Sequence, residues 1–300
     1  RLIPIRRGRY KTFVFTFLAL IAFPIILVFW VYLKQDEWVQ KGLNWANQHY
    51  PGKVVIKGSH LSLFATFPYV SIDLEDLYVY EEKKHSQTPI VHVQDAYLGF
   101  SIWSVFSGKY EVKSIKLTEG RVNLVQHADG SFNIIKAFDT GGKPHADTVE
   151  QSFNLNLKSM VLERVDLHKI NEINQLDIDL VVDQAHASMV QDAKQLGLDL
   201  DAKFTLNVVH YGDTTFLKHK HFKVNTRLEY DGNTQIVTIL PSEVWLEKGN
   251  FNVQGKMELD GEMPVDLKVN GAKPNFDLLI AFAPEELIPT LESYRNKGKI

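Results

Sequence analysis

Residues Phe13 to Leu33, FVFTFLALIAFPIILVFWVYL, run for 21 positions without a charge. At about 1.5 Å per residue such a helix is about 31 Å long, the hydrocarbon thickness of a bilayer, and the stretch predicts a membrane-spanning helix. A cleaved secretory signal has an apolar region of only about 7 to 15 residues ending in small residues. No such ending follows Leu33, where Lys34, Gln35, Asp36, Glu37 and Trp38 come instead. Arg6, Arg7, Arg9 and Lys11 precede the stretch with no acidic residue among them. The positive-inside rule therefore predicts a cytoplasmic N-terminus, a single pass and a bulk that lies across the membrane. Trp30, Tyr32 and Trp38 stand where an interfacial aromatic belt belongs, and Pro24 is a kink that membrane helices tolerate.

Removing the five basic residues ahead of the stretch from the 33 Lys and Arg leaves 28 against 36 acidic residues. That net charge of about −8 argues against nucleic acid as a partner. The absence of cysteine excludes disulfides, thiolate zinc sites and cysteine nucleophiles. The chain ends in Lys299-Ile300 just after Gly298, which reads as the start of a further strand and predicts a piece of something longer.

After the span, Val39, Leu43, Ala46 and Tyr50 recur at helical spacing until Pro51-Gly52, predicting a short juxtamembrane helix. From Val54 the period becomes two. Val70, Ile72 and Leu74 alternate with polar residues, then the phase slips at Asp76 to give Leu77 and Val79, which reads as a β-bulge inside one strand. Short strands follow at Val91 and Val93, at Leu98, Phe100 and Ile102, at Val112, Ile115 and Leu117, and at Val122 and Leu124. Residues Glu81 to Thr88, Ser104 to Lys109 and Asp129-Gly130 read as connections, and Thr140 to Pro144 as a loop between modules. Strands resume at Phe153, Leu155 and Leu157, at Leu176 to Leu180, at Leu196 to Leu206, at Val224 to Tyr230 and at Phe251 to Leu259, with turns at Asp231-Gly232 and Asp260-Gly261. Phe276, Leu279, Ile280 and Ala283 then fit one helical face, and Leu287, Ile288 and Leu291 a second short piece, with Pro284 and Pro289 as interruptions.

Strands with one apolar side must cover it with a second sheet, by curling, or with an apolar ligand. Groove-lining candidates are Val70, Ile72, Leu74, Val91, Val93, Leu98, Phe100, Val112, Ile115, Leu117, Val122 and Leu124; the same residues would equally make an ordinary dry core.

Catalytic chemistry is not written into the chain. There is no phosphate-binding glycine loop, no G-x-S-x-G, no H-E-x-x-H and no calcium loop. His219 and His221 share a strand face and are the best metal pair, but Lys218, Lys220 and Lys223 surround them, and a polar hairpin end is the simpler reading. The pairs Asp177 with Asp179 and Asp199 with Asp201 read as solvated strand faces. The expectation is no catalytic residue, no metal and no cofactor.

One stretch carries a family likeness. Phe67-Pro68 leading into VSIDLEDLYVY, then PIVHVQDAYLGFSIWSVFSGKYEVKSIKLTEGRVNLVQHADGSFNI, all behind an apolar N-terminal helix, resembles the N-terminal region of AsmA-like proteins of Gram-negative envelopes. The resemblance covers residues 1 to about 138; beyond 153 it lies only in the strand pattern and the LLIAFAPEELIPTLESY helices. It implies a protein anchored in the bacterial inner membrane, with its bulk in the periplasm. It also implies a mainly β fold in which an antiparallel sheet curls into an open groove with short capping helices. Phospholipid and other envelope proteins are the implied partners, and support of outer-membrane assembly by lipid binding or conduction is the implied role. A membrane-anchored scaffold using its sheet edge or acidic face is the rival. The expected layout is a basic segment 1–12, the span 13–33, a juxtamembrane helix 34–50, a β module 51–138, a loop 139–152, continuing sheet 153–274 and helices with a strand start over 275–300.

Overall fold

The structure is a computed structural model, and it describes residues 7–83, 88–101, 103–104, 107, 111–139, 154–192, 195–211, 214–258, 265–271 and 276–293. Arg6, Ile102, Phe153, Leu259, most of the expected 139–152 loop, the Asp260-Gly261 turn and the strand start after Gly298 fall outside these residues.

A single helix, α1 (Arg7–His49), carries both the apolar stretch and the juxtamembrane pattern without a break. Among the described residues no helix is long and apolar enough to cross a membrane. Within 13–33 the side chains at 13–14, 19–21, 23–25, 27–28 and 31 lie outside the description; Phe15, Phe17, Leu18, Ile26, Phe29, Trp30, Tyr32 and Leu33 are exposed.

Twelve strands follow in one open sheet: β1 (Lys53–Val55), β2 (Gly58–Ser62), β3 (Val70–Tyr80), β4 (Val91–Phe100), β5 (Glu111–Gln126), β6 (Asn154–Asn171), β7 (Leu176–Asp192), β8 (Gln195–Tyr211), β9 (Thr214–Asp231), β10 (Ile236–Leu246), β11 (Gly249–Glu258) and β12 (Val265–Gly271). Their spatial order follows the sequence, except that β1 and β2 both pair with β3. Short helices α2 (Asn133–Phe138), α3 (Phe276–Phe282) and α4 (Ile288–Ser293) complete the fold, with a 3-10 turn at Glu285–Leu287. The fold is mainly β, as the alternation predicts.

The antiparallel expectation holds at every junction but one. β5 and β6 are parallel, a pairing that needs a connection of about a dozen residues or more, and 27 residues separate Gln126 from Asn154. The slip at Asp76 is present, with φ at 47°. It is not confined to β3. The pairing places Gln94, Glu119, Arg164 and Asp183 opposite one another in a line with Asp76, and Glu119 and Arg164 also have positive φ. Every strand from β3 to β7 therefore changes phase at the same level. Residues three apart, such as Leu74 with Leu77 or Leu117 with Gly120, stay on one face because of that aligned slip. At the same line Gly120 is obligatory: a Cβ there would overlap the His92 carbonyl oxygen and the Val93 backbone.

Candidate functional site

Register converts the strand pattern into rows across the sheet. One row runs Leu74, Ala96, Leu117, Leu162, Ala185, Ala202, Val224, Val244, Phe251 and Gly271, from β3 to β12, without a polar side chain. Its neighbour runs Leu77, Val93, Gly120, Val165, Val182, Phe204, Phe222, Leu246 and Gly249 and is equally apolar. At about 4.8 Å per strand spacing these rows are about 40 Å long.

Helices lie over the two ends of this face. Val39 of α1 is buried in the cluster of Ile72, Leu74, Val93, Ala96, Phe100, Val112, Leu117 and Val165, with Leu43 against it. At the far end Ala281 and Leu278 of α3 pack on Leu246 and Phe251. There Lys220 points to the apolar side, opposite Leu206, and is 2% exposed; its Nζ donates to the Ala283 carbonyl at 2.5 Å and so ties β9 to the end of α3. Between the helices each strand from β6 to β9 has its main contacts with its sheet neighbours alone among the described residues. Leu162, Leu180, Leu200 and Phe204 are only half-buried around the small cluster of Val182, Ala185 and Ala202, and on β12 Leu267 and Val269 are about half exposed.

The predicted lining residues all fall on β3, β4 and β5, and the structure brings them together. Ile72, Leu74, Val93, Phe100, Val112 and Leu117 are buried in the cluster under α1, Val91, Leu98, Ile115 and Val122 pack against it, and Val70 and Leu124 are half-buried. Of the residues predicted to flank a membrane span, Arg7, Arg9 and Lys11 lie in α1 with side chains outside the described set, and Trp30 meets Trp38 edge-to-face at 5.3 Å.

The opposite face is polar. His60, Asp73, Tyr97 and Lys116 form one row across β2 to β5, and Glu75, Asp95, Thr118 and Glu163 the next. Asp73 is 1% exposed; His60 Nε2 lies 3.3 Å from its Oδ2, Tyr97 donates to it, and its Oδ1 has no hydrogen-bond partner. Burial first, then the neighbouring Asp95, pushes its carboxyl up to about 6, and burial with the same two carboxylates pushes Tyr97 up to about 12. Thr118 donates to Asp95 at 3.1 Å, and Lys116 pairs with Glu163 at 2.9 Å. Sequence reasoning did not single out Asp73; its neighbours are strand-like on both sides, and only pairing with Tyr97 and His60 buries it.

His219 and His221 are exposed, but they sit inside β9 and not at a hairpin end, and the lysine between them is the buried one. Both the backbone N–H and Nδ1 of His221 are within 3.0 Å of Glu247 Oε1. Asp177 lies 2.8 Å from His168 Nε2, Asp199 faces Arg227 at 3.7 Å, and Asp201 accepts from Asn225. No three acidic or histidine side chains converge on a metal position among the described residues. A cavity of about 460 Å³ opens beside Arg227, Glu229 and Lys256, on the polar face and away from the apolar rows.

No family model, curated protein or solved structure matches this chain. Its chemistry has to be read from the two faces themselves.

Proposed function

We propose that this protein is an AsmA-like component of a bacterial envelope, anchored in the inner membrane by residues 13–33 with its sheet in the periplasm. The sheet curls so that its apolar face forms a groove that binds or conducts phospholipid acyl chains and so supports outer-membrane assembly. It acts without covalent chemistry. The observation that carries the reading is the pair of apolar rows, one continuing from β3 to β12 and the other from β3 to β11, over which helices lie only at the ends among the described residues. Each methylene moved from water onto such a face is worth about 0.8 kcal/mol, so one acyl chain repays its immobilisation several times over. Polar headgroups stay at the rim, in water. The anchor rests on the uncharged stretch, the basic residues before it and the outward-facing apolar side chains of α1.

The test is lipid analysis by mass spectrometry of the full chain, purified from membranes and washed free of loosely held lipid. Stoichiometric phospholipid that Leu198→Asp removes is the expected result. Protein that is lipid-free as purified and takes up no acyl chain on incubation with vesicles overturns the reading.

A further inference from the structure

Three of the most exposed large apolar side chains of the sheet domain, Phe64 (80%), Phe67 (79%) and Trp103 (70%), hang from one end of the sheet. Phe64 and Phe67 lie in the loop between β2 and β3, and Trp103 follows β4, whose last residue Phe100 pairs with Val70, the first of β3. The loop is fixed in place: Thr66 is buried, its hydroxyl bonds to that of Ser71, and a side chain larger than Gly99 would strike it. Exposed aromatics grouped at one end of a sheet, two of them on a loop that is held in place, are a docking feature.

The direction of α1 says what they face. Asn47 exchanges hydrogen bonds with Val54, which pairs with Val79, and Asp36 accepts from Ser59, which pairs with Leu74. Asp36 to Asn47 is about 16 Å of helix, and Leu74 to Val79 about 16 Å of strand, so α1 runs alongside β3 in the same direction. Continuing back, Val70 lies about 13 Å beyond Leu74, which brings the end of the sheet level with the turns of α1 around Ile26 and Trp30. That level falls within the apolar stretch, about 10 Å of helix before Leu33, so the loop that precedes Val70 lies alongside the proposed span.

We infer that Phe64, Phe67 and Trp103 form a second membrane contact: they insert into the lipid interface beside α1 and hold the first strands of the sheet against the bilayer. The partner is a phospholipid surface, and aromatic rings suit its boundary because they are apolar with tolerance for a polar edge. The inference rests on the anchor proposed above. It fixes the ends of the first strands at the bilayer rather than leaving the sheet to swing freely from a tether.

The chain has no cysteine, so single labels are clean. Phe64→Cys, Phe67→Cys and Trp103→Cys, each carrying an environment-sensitive fluorophore, are compared in full chain reconstituted into vesicles of phosphatidylethanolamine and phosphatidylglycerol. Leu18→Cys reports the anchor itself, and Ile135→Cys, exposed on α2 at the other end of the sheet, reports water. The expected result is blue-shifted emission, quenched by spin-labelled lipid, at 64, 67, 103 and 18, with neither effect at 135. Lipid contact at 18 with water-like signals at all three aromatic positions overturns the second contact alone. Water-like signals at 18 as well overturn the anchor and this inference with it.

Discussion

The two halves of the apolar face are built from the same alternation and end in different states. From β3 to β6 the face closes into one buried cluster, with Val39 and Leu43 of α1 laid over its edge. From β7 to β11 the same alternation yields two small clusters separated by half-buried side chains, and on β12 Leu267 and Val269 remain largely open. Period two therefore reports that a strand has an apolar side, not what covers it. The cover is set by whether a helix happens to lie above, and among the described residues only the ends of this sheet have one.

The largest effect expected is at Val93, which is fully buried in the covered half. Val93→Asp places an unpaired carboxylate among apolar side chains and should cost several kcal/mol, seen in denaturant titration as loss of the native baseline. Retention of full stability would mean that water reaches the covered half too, and the comparison would collapse. Gly120→Ala comes next. Its methyl group has no room beside the His92 carbonyl, so a loss of about 3 kcal/mol is expected, against under about 1 kcal/mol for Gly197→Ala, where the nearest atom is 3.7 Å away.

Asp73 gives a pH signature confined to the covered half. Its carboxyl titrates at about 6 in the fold against an ordinary value near 4, so the folded state holds its proton more tightly than the unfolded chain does. This contribution to stability is present in full below about pH 4 and is lost as pH rises through about 6. Asp73→Asn should accordingly raise stability at pH 8 by about 1–3 kcal/mol relative to the parent, with the gain shrinking towards pH 4. A gain of equal size at both pH values would place the effect in packing and not in charge.

The smallest stability effect is expected in the open half. Leu198 pairs with Leu228 on the apolar face, both half-buried, and Leu198→Asp should cost no more than about 1 kcal/mol because water can hydrate the new carboxylate. A loss as large as that of Val93→Asp would make the two halves alike.

Much of this was legible in the chain. The slip at Asp76, the switch to strands after Pro51-Gly52 and the proline-punctuated C-terminal helices follow from local pattern. The aligned slip was not legible, because each strand shows it only as a broken alternation. Val91-Val93 and Leu98-Phe100 read as separate strands, as do Val112 to Leu117 and Val122-Leu124, although each pair is one strand crossing the line. β10 was hidden by Pro241, which sits at a register shift between Ile239 and Ser242 where no ladder hydrogen bond is required of it. The inward turn of Lys220 has no local signal at all; its neighbours His219 and His221 mark the strand as polar, and only the Ala283 carbonyl across the sheet makes the burial tolerable. The lining candidates were found where the pattern is densest, on β3 to β5, which is the half that α1 closes.

Whether the half-buried stretch of the apolar face around Leu198 holds acyl chains can be read by cross-linking in intact membranes. A photoreactive phenylalanine analogue replaces Leu198 on the apolar face or Asp199 on the polar face of the same strand. A groove filled by acyl chains gives a phospholipid adduct at 198 and none at 199. No adduct at 198, or equal adducts at both positions, would contradict it.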